Sequence, residues 1–171
     1  EDGSLLVLCP ANYLNAIAPF VKWKEMKGFR TYLVNTDTIS GGVSESTIAS
    51  VAKYYYQNMQ IANMILVGDN TSIPSVNESF TNPDLAGPSD IAYAYINNGD
   101  HYPEFIVGRF SGESVEQIRN IVNRSIAYEK TPNANGNWMG QQLGIASEQG
   151  TGDDNQYDYE HIHDIVDSNK N

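Results

Sequence analysis

The densest group of potentially reactive side chains in the sequence lies between Glu148 and Asp167. These 20 residues hold seven of the 21 acidic residues, no Lys or Arg, and two of the three His. The negative charges of so many neighbouring acids repel one another, and this repulsion is tolerated when a cation, a basic substrate group or solvent offsets it. One interpretation is a solvated acidic helix start, which the helix dipole favours. The other is a ligand site after the carboxyl end of a strand, where open α/β sheets bind ligands.

A second group of acids and His comprises Asp100, His101 and Glu104. Oxygen ligands of this kind suit Ca²⁺, although the 12-residue EF-hand spacing is missing; ordinary turn polarity is the alternative. Zinc is not indicated, because His161 and His163 are two positions apart in a helical pattern and point about 200° away from each other.

A nucleophile is harder to find in this sequence. Neither a Gly-x-Ser-x-Gly elbow nor a Gly-x-x-x-x-Gly-Lys-Ser phosphate loop occurs. The single Cys9 lies in a strand-like apolar run, far in sequence from any His, and lacks the partner that activates a thiolate. We therefore predict that Cys9 is a small buried side chain.

The elements that must position these groups alternate between strands and helices. Short apolar runs at Leu5–Cys9, Thr31–Val34 and Met64–Val67 are separated by two helical patterns, which predicts a mostly parallel sheet covered on both faces. Asn70–Ser89 has the composition of a functional loop. The pattern further predicts a hairpin at the sheet edge, in which Ile91–Tyr95 pairs with Glu104–Val107. It then predicts a helix over Ser114–Lys130, a strand over Leu143–Ala146 and a second helix from Tyr159.

Composition limits the classes of partner. Ten basic against 21 acidic residues give a net charge of -11, which makes nucleic acid an unlikely partner. No apolar run approaches the roughly 20 residues of a membrane span, and no signal peptide opens the chain. We expect a mature or trimmed segment.

Seven motifs occur in an order and spacing that resemble those of a known family. They are Val21-Lys22-Trp23-Lys24 with Lys27–Thr31, Ile65–Asp69, Ser89-Asp90 with Tyr93, Asp100-His101-Tyr102 leading to Phe105–Ser111, Ile126–Lys130, Trp138–Gln141 and Gly144–Glu148. Together they resemble the gingipain family of bacterial cysteine peptidases, of the clan of caspases and clostripain.

The resemblance implies two caspase-like α/β subdomains in tandem. Residues 1–130 would be the first subdomain, 131–140 a linker, and 141–171 the beginning of the second. The family's catalytic His, in a His-Gly pair, and its nucleophilic Cys would both lie downstream. The resemblance thus implies a chain that is inactive alone, belongs to a secreted or cell-surface bacterial enzyme, and has protein or peptide substrates and the remainder of the catalytic domain as partners.

Particular site residues follow from the same resemblance. Glu148, with Gln149 as its rival, matches an acid that orients the catalytic His. Asp158 matches the acid at the base of the specificity pocket in Arg-specific members, whereas Lys-specific members differ there; a helix N-cap is the alternative for Asp158. Gingipains bind structural calcium, and the oxygen ligands to inspect are Asp69, Asp90, Asp100, Glu104, Asp153 and Asp154, with the last four preferred.

Two other hypotheses remain at this point. A non-catalytic relative, either a pseudo-peptidase or a part of secretion machinery, would keep the fold as a binding platform. A receiver-like or nucleotide-binding domain would also suit acids at strand ends, but its switch and phosphate residues are missing.

Overall fold

The computed structural model describes residues 3–78, 87–97, 102–131, 136, 141, 143–147, 150–151 and 155–168. The chain forms two compact units, Glu1–Thr131 and Pro132–Asn171. In chain order the strands and α-helices are β1 (Ser4–Cys9), α1 (Leu14–Met26), β2 (Thr31–Asn35), α2 (Glu45–Met59), β3 (Ile61–Val67), β4 (Val76–Glu78), β5 (Gly87–Ser89), β6 (Ile106–Phe110), α3 (Val115–Lys130) and α4 (Asp158–Ser168).

The first unit is built on a four-stranded parallel sheet in the order β2-β1-β3-β6. Val7 in β1 lies opposite Leu33 of β2 and Ile65 of β3. All six residues of β1 are buried, because strands flank it on both sides and helices cover both faces. A near-continuous apolar run is typical of such a strand. The predicted α/β architecture is confirmed.

The side chains of β1 alternate between two cores, as a strand requires. Leu6 and Leu8 pack on one face, in a core to which α2 contributes Ile48 and Ala52. The opposite face packs against α1 and α3, and its core contains Leu5, Val7, Ile17, Phe20, Ile118 and Val122. Every side chain of this second set is at most 3% exposed. The sheet is therefore held between two helical layers.

The helix boundaries follow from local chemistry that is visible in the sequence. The side chain of Ser44 accepts a hydrogen bond from the Thr47 amide, and the Thr47 hydroxyl accepts one from the Ser44 amide, which is a capping box for α2. The Ser114 side chain caps α3 by accepting a hydrogen bond from the Gln117 amide. Gly28 ends α1 with a φ of 94°, a conformation that favours glycine.

A single carboxylate ties the C-terminal ends of α1 and α3 together. Glu129 accepts hydrogen bonds from Trp23 Nε1 at 2.9 Å, Lys24 Nζ at 2.6 Å and Lys27 Nζ at 3.0 Å. Burial raises the pKa of Glu129, but these three donors outweigh it and lower the pKa to about 2. The carboxylate is thus charged throughout the neutral range and stabilises the contact between the two helices.

The predicted hairpin of Ile91–Tyr95 with Glu104–Val107 is wrong in its first half. Ile91–Ala94 is a 3₁₀ turn in which the neighbours Tyr93 and Ala94 are both buried. A half-buried strand would expose one of two neighbouring residues, so this burial pattern is that of a turn packed into the core and not of an edge strand.

The second half of that prediction is also shifted. The strand begins at Ile106 and pairs in parallel with β3 at the edge of the sheet, rather than antiparallel within a hairpin. The hairpin-like pair is instead β4 with β5, which are antiparallel. It lies inside the Asn70–Ser89 stretch that composition assigns to a loop, and residues 79–86 between its strands lie outside the described part.

The second unit contains α4 and the segments around it. Residues 143–147 are described, but no strand is assigned to the predicted Leu143–Ala146 segment, and Leu143 and Ile145 are 86% and 81% exposed. A strand needs a neighbour for its ladder of hydrogen bonds, and none pairs with this segment among the described residues. Within the same described ranges, no helix combines the length and apolar character needed to cross a membrane.

Candidate functional site

The acidic segment of the second unit places Asp158 at the first position of α4. The carbonyl of Tyr157 accepts the first helical hydrogen bonds, from the amides of Glu160 at 2.9 Å and His161 at 3.3 Å. The Glu160 carboxylate in turn accepts from the Tyr157 amide at 2.8 Å. Tyr157 is therefore the N-cap residue, so the cap alternative for Asp158 is not what the structure has.

The carboxylate of Asp158 makes a different contact. Ser147 Oγ donates a hydrogen bond to Asp158 Oδ2 at 2.7 Å, and both residues are exposed. The ion pairs found among the described residues do not involve Asp158. The segment therefore presents an oriented, accessible carboxylate to solvent, and such a group can bind a cationic ligand.

Aromatic rings flank this carboxylate along the chain. The rings of Tyr157 and Tyr159 are stacked with centroids 5.4 Å apart, and His163 meets Tyr159 edge-on at 6.3 Å. His161 and His163 lie on α4, as predicted. The described residues contain no group of three or more His, Cys, Asp or Glu side chains arranged to hold a metal ion.

Glu148 and Gln149, the candidates for orienting a catalytic His, lie outside the described residues, as do Asp100, Asp153 and Asp154. Of the four preferred calcium ligands only Glu104 is described. It accepts hydrogen bonds from the Tyr56 hydroxyl at 3.2 Å and from the Asn97 amide. The hydrogen bond that the Tyr56 hydroxyl donates to Glu104 raises the pKa of the Tyr56 phenol. Glu104 supplies the hard oxygen donors that Ca²⁺ prefers, but neighbouring donors already use both of its oxygens.

Asp90, also inspected as a calcium ligand, is paired with a guanidinium. Arg109 Nε donates to Asp90 Oδ2 at 2.7 Å and Arg109 Nη2 donates to Oδ1 at 2.6 Å, while Ser75 Oγ donates to Oδ1 at 2.7 Å. Burial raises the pKa of Asp90, yet the bonds from Arg109 and Ser75 prevail and lower it. The side chains of Arg109 and Asp90 are only 11% and 26% exposed.

The same guanidinium fixes the loop that follows β3. Arg109 Nη1 lies 3.0 Å from each of the carbonyls of Gly68, Asp69 and Ile73. The pairing of Arg109 with Asp90 and this loop is not predicted by the sequence motifs, although an Arg inside an apolar strand requires a buried partner and is a signal for one. Arg109 thus links Asp90 to the loop after β3 at the carboxyl end of the sheet.

Asp69 stabilises the same loop from within. Its Oδ1 accepts hydrogen bonds from the hydroxyl and amide of Thr71 and of Ser72, at 2.8 to 3.2 Å. These bonds, with the Thr71 hydroxyl the largest cause, lower the pKa of Asp69. Its described contacts are those of a turn residue.

The crevice between β1 and β3, where the strand order reverses, is the usual ligand position in such a sheet. Here Tyr13 fills it. The Tyr13 side chain is 3% exposed, and its hydroxyl lies 3.5 Å from the carbonyl of Gly112. A Cβ placed on Gly68 would come within 3.2 Å of the Tyr13 ring and 2.7 Å of Ser72 Cβ. The usual ligand position of the first unit is therefore occupied by the protein itself.

Cys9 ends β1 beside this crevice and is fully buried. Its thiol lies 3.3 Å from the carbonyl of Pro10. Burial, with a smaller contribution from Asp37, raises the pKa of Cys9 to about 12. The thiol is therefore protonated at neutral pH and is not a nucleophile. The prediction of a small buried side chain is confirmed.

The parallel sheet between helical layers places the chain in the caspase-like class of α/β proteins. All of residues 1–171 match the model of peptidase family C25, and the chain belongs to this family. It is 33% identical over 165 residues to gingipain R2 of Porphyromonas gingivalis, covering 94% of this chain and 22% of that protein. It is 27% identical over 147 residues to Lys-gingipain of the same organism, covering 83% of this chain and 8% of the relative.

Solved structures agree with this assignment. The Arg-specific cysteine proteinase gingipain R matches with a TM-score of 0.84 and 32% identity, over 97% of this chain and 38% of that one. The complex of the pro- and mature domains of Porphyromonas gingivalis RgpB matches with the same TM-score and identity, over 96% of this chain and 38% of that one. The chain spans about a fifth of the length of the first curated relative.

Proposed function

We propose that the chain is the amino-terminal part of the catalytic domain of a secreted bacterial cysteine endopeptidase that cleaves after Arg or Lys. Membership of family C25 supports the peptidase class. The observation that carries the specificity is the exposed Asp158 carboxylate, held by Ser147 and free of any ion pair among the described residues.

The electrostatics of the segment support a basic substrate side chain. Between Glu148 and Asp167 the sequence has seven acids and no Lys or Arg. Such a field attracts cations and raises their local concentration. Asp158 would then pair with the guanidinium or ammonium of the residue before the scissile bond.

In this proposal the catalytic His and Cys come from the rest of the enzyme, and this chain supplies Glu148. Glu148 would accept a hydrogen bond from one ring nitrogen of a downstream His, which fixes the ring so that its other nitrogen can take the thiol proton. A downstream Cys would be the nucleophile. The buried, protonated Cys9 supports this division, because it does not supply a thiolate at neutral pH.

The isolated chain is expected to show no amidase activity, whereas the full-length protein cleaves peptide amides with Arg or Lys before the scissile bond. Thiol alkylation should abolish that cleavage. Both are measured with chromogenic peptides that differ only in this residue. Activity of the isolated chain would contradict the proposal, and a full-length protein without activity would favour a non-catalytic relative that uses the fold as a binding platform.

The proposal includes a structural Ca²⁺ held by acids near Glu104 and Asp100, or by Asp153 and Asp154. A free ion concentration of about 100 times the Kd stabilises the protein by about 2.7 kcal/mol. A chelator should therefore lower the melting temperature by about 5 °C or more. Re-adding Ca²⁺, but not Mg²⁺, should restore it. An unchanged melting temperature in both steps would exclude a stabilising calcium site.

A further inference from the structure

The hydrogen bond between Ser147 and Asp158 joins residues 11 positions apart on the surface of the second unit. An exposed serine hydroxyl ordinarily donates to water. Here the Ser147 hydroxyl contacts Asp158 Oδ2 at 2.7 Å, a short distance typical of a bond to a charged acceptor. This bond restrains one oxygen of the carboxylate and narrows the range of planes that the group can adopt.

We propose that Ser147 is a positioning residue that presents the Asp158 carboxylate in the orientation a substrate guanidinium requires; this rests on the proposed role of Asp158. A carboxylate has about four acceptor sites on its two oxygens. Ser147 uses one of them, so both oxygens can still accept the two parallel N–H groups of an Arg side chain.

The first unit contains the same constellation with the guanidinium in place. Ser75 Oγ donates to Asp90 Oδ1 at 2.7 Å, the distance found between Ser147 and Asp158. That oxygen also accepts Arg109 Nη2 at 2.6 Å, and the other oxygen accepts Arg109 Nε at 2.7 Å. A serine-oriented aspartate in this chain therefore does bind a guanidinium through both oxygens.

The proposal distinguishes Arg from Lys. A guanidinium is a rigid planar fork, so its two bonds depend on the rotation of the carboxylate. The terminal torsion of Asp is broad, and without Ser147 the carboxylate samples a wide range of planes. A Lys ammonium acts as a point charge with three rotatable donors and depends far less on that plane.

The test compares variants of the full-length protein on matched Arg and Lys peptide amides. Ser147→Ala should lower kcat/KM for Arg substrates about tenfold, mainly through KM, and lower it for Lys substrates no more than about twofold. Ser147→Thr keeps the hydroxyl and should restore the Arg preference, whereas Ser147→Val, of nearly the same shape as Thr, should not. Ser168→Ala is the matched control, because Ser168 donates to the Asp164 carbonyl at the other end of α4.

Several outcomes would overturn the proposal. Equal losses on both substrates would mean that Ser147 acts through the backbone next to Glu148, and an unchanged Arg preference would mean that it does not position Asp158. If Ser147→Ala does not fold, equal Arg preference in the Thr and Val variants would reject the proposal. Asp158→Asn distinguishes the role of Asp158 from that of Ser147. If Asp158→Asn keeps the Arg preference, the proposed function of Asp158 is wrong. If Asp158→Asn removes the preference and Ser147→Ala does not, only the role of Ser147 is wrong.

Discussion

Asp90 accepts a hydrogen bond from Ser75 and Asp158 accepts one from Ser147, but the two aspartates differ in what else they bind. Each accepts a serine hydroxyl at 2.7 Å. Asp90 is partly buried and binds Arg109 of its own chain through both oxygens. Asp158 is exposed, and no ion pair among the described residues includes it.

The difference between these two sites lies in the source of the cation. In the first unit the chain supplies its own guanidinium, so the carboxylate holds the fold together. In the second unit a Ser–Asp pair with the same hydrogen-bond distance has no guanidinium partner among the described residues. The contrast favours a structural role for Asp90 and a ligand-binding role for Asp158, and each role can be tested by substitution.

The largest expected effect is on activity at Asp158. Asp158→Asn in the full-length protein removes the charge while nearly keeping the shape, and loss of a desolvated charge pair costs about 2 to 5 kcal/mol of transition-state binding. That is roughly a 30-fold to several thousand-fold loss of kcat/KM on Arg substrates. Steady-state kinetics measures the loss, and a melting temperature close to that of the wild type shows that the variant folds. If the variant keeps its preference for Arg, Asp158 does not have the proposed ligand-binding role.

The next effect is on stability at Arg109. Arg109→Met leaves Asp90 charged without its partner and three carbonyls without their donor, and we expect a loss of about 3 kcal/mol in the free energy of unfolding. Urea unfolding measures this loss. Arg119→Met is the control, since Arg119 is exposed on α3 and the change should stay within about 0.5 kcal/mol. Equal effects of the two substitutions would show that the Asp90 site is not a structural pair.

The smallest effect concerns the pH dependence of stability at Glu129, which, like Asp90, is paired with cations of its own chain. Its pKa falls from 4.5 to about 2 on folding, so its contribution to stability is fully present above about pH 4.5 and is lost as the pH falls toward 2. Glu129→Gln should therefore destabilise the protein by about 1 kcal/mol at pH 6, because the partly exposed site is screened by solvent.

The difference between that variant and the wild type should shrink as the pH is lowered. Thermal unfolding at several values from pH 2 to pH 6 gives this profile, with the exposed Glu116→Gln as the control. A constant difference over the range would mean that the charge of Glu129 is not what stabilises the contact between α1 and α3.

The parts of the fold that could be predicted are those with strong local signals. The apolar run of β1 and the capping serines Ser44 and Ser114 led to the correct elements, because burial on both faces and helix caps leave clear patterns. The β4–β5 pair and the parallel placement of β6 were missed. Their pairing depends on partners distant in sequence, which short-range periodicity does not report.

The candidate site shows the same division. The excess of acids and the place of Asp158 near the start of a helix could be derived from the sequence, although α4 begins at Asp158 itself and not at Tyr159. Its hydrogen bond to Ser147 and the pairing of Asp90 with Arg109 could not, because they join residues 11 and 19 positions apart through the fold. The charged residue within the apolar strand β6 was the one available signal.

The bonds of Arg109 to the loop after β3 also bear on the order of folding. They span 36 to 41 residues of sequence, so they form only after a long segment of chain has closed. The loop Gly68–Ile73 directly follows β3 in sequence, but it can acquire these bonds only once β6, which carries Arg109, has paired with β3. Protection of the Ile73 amide against hydrogen exchange should consequently appear together with that of β6 during refolding, and later than that of β1.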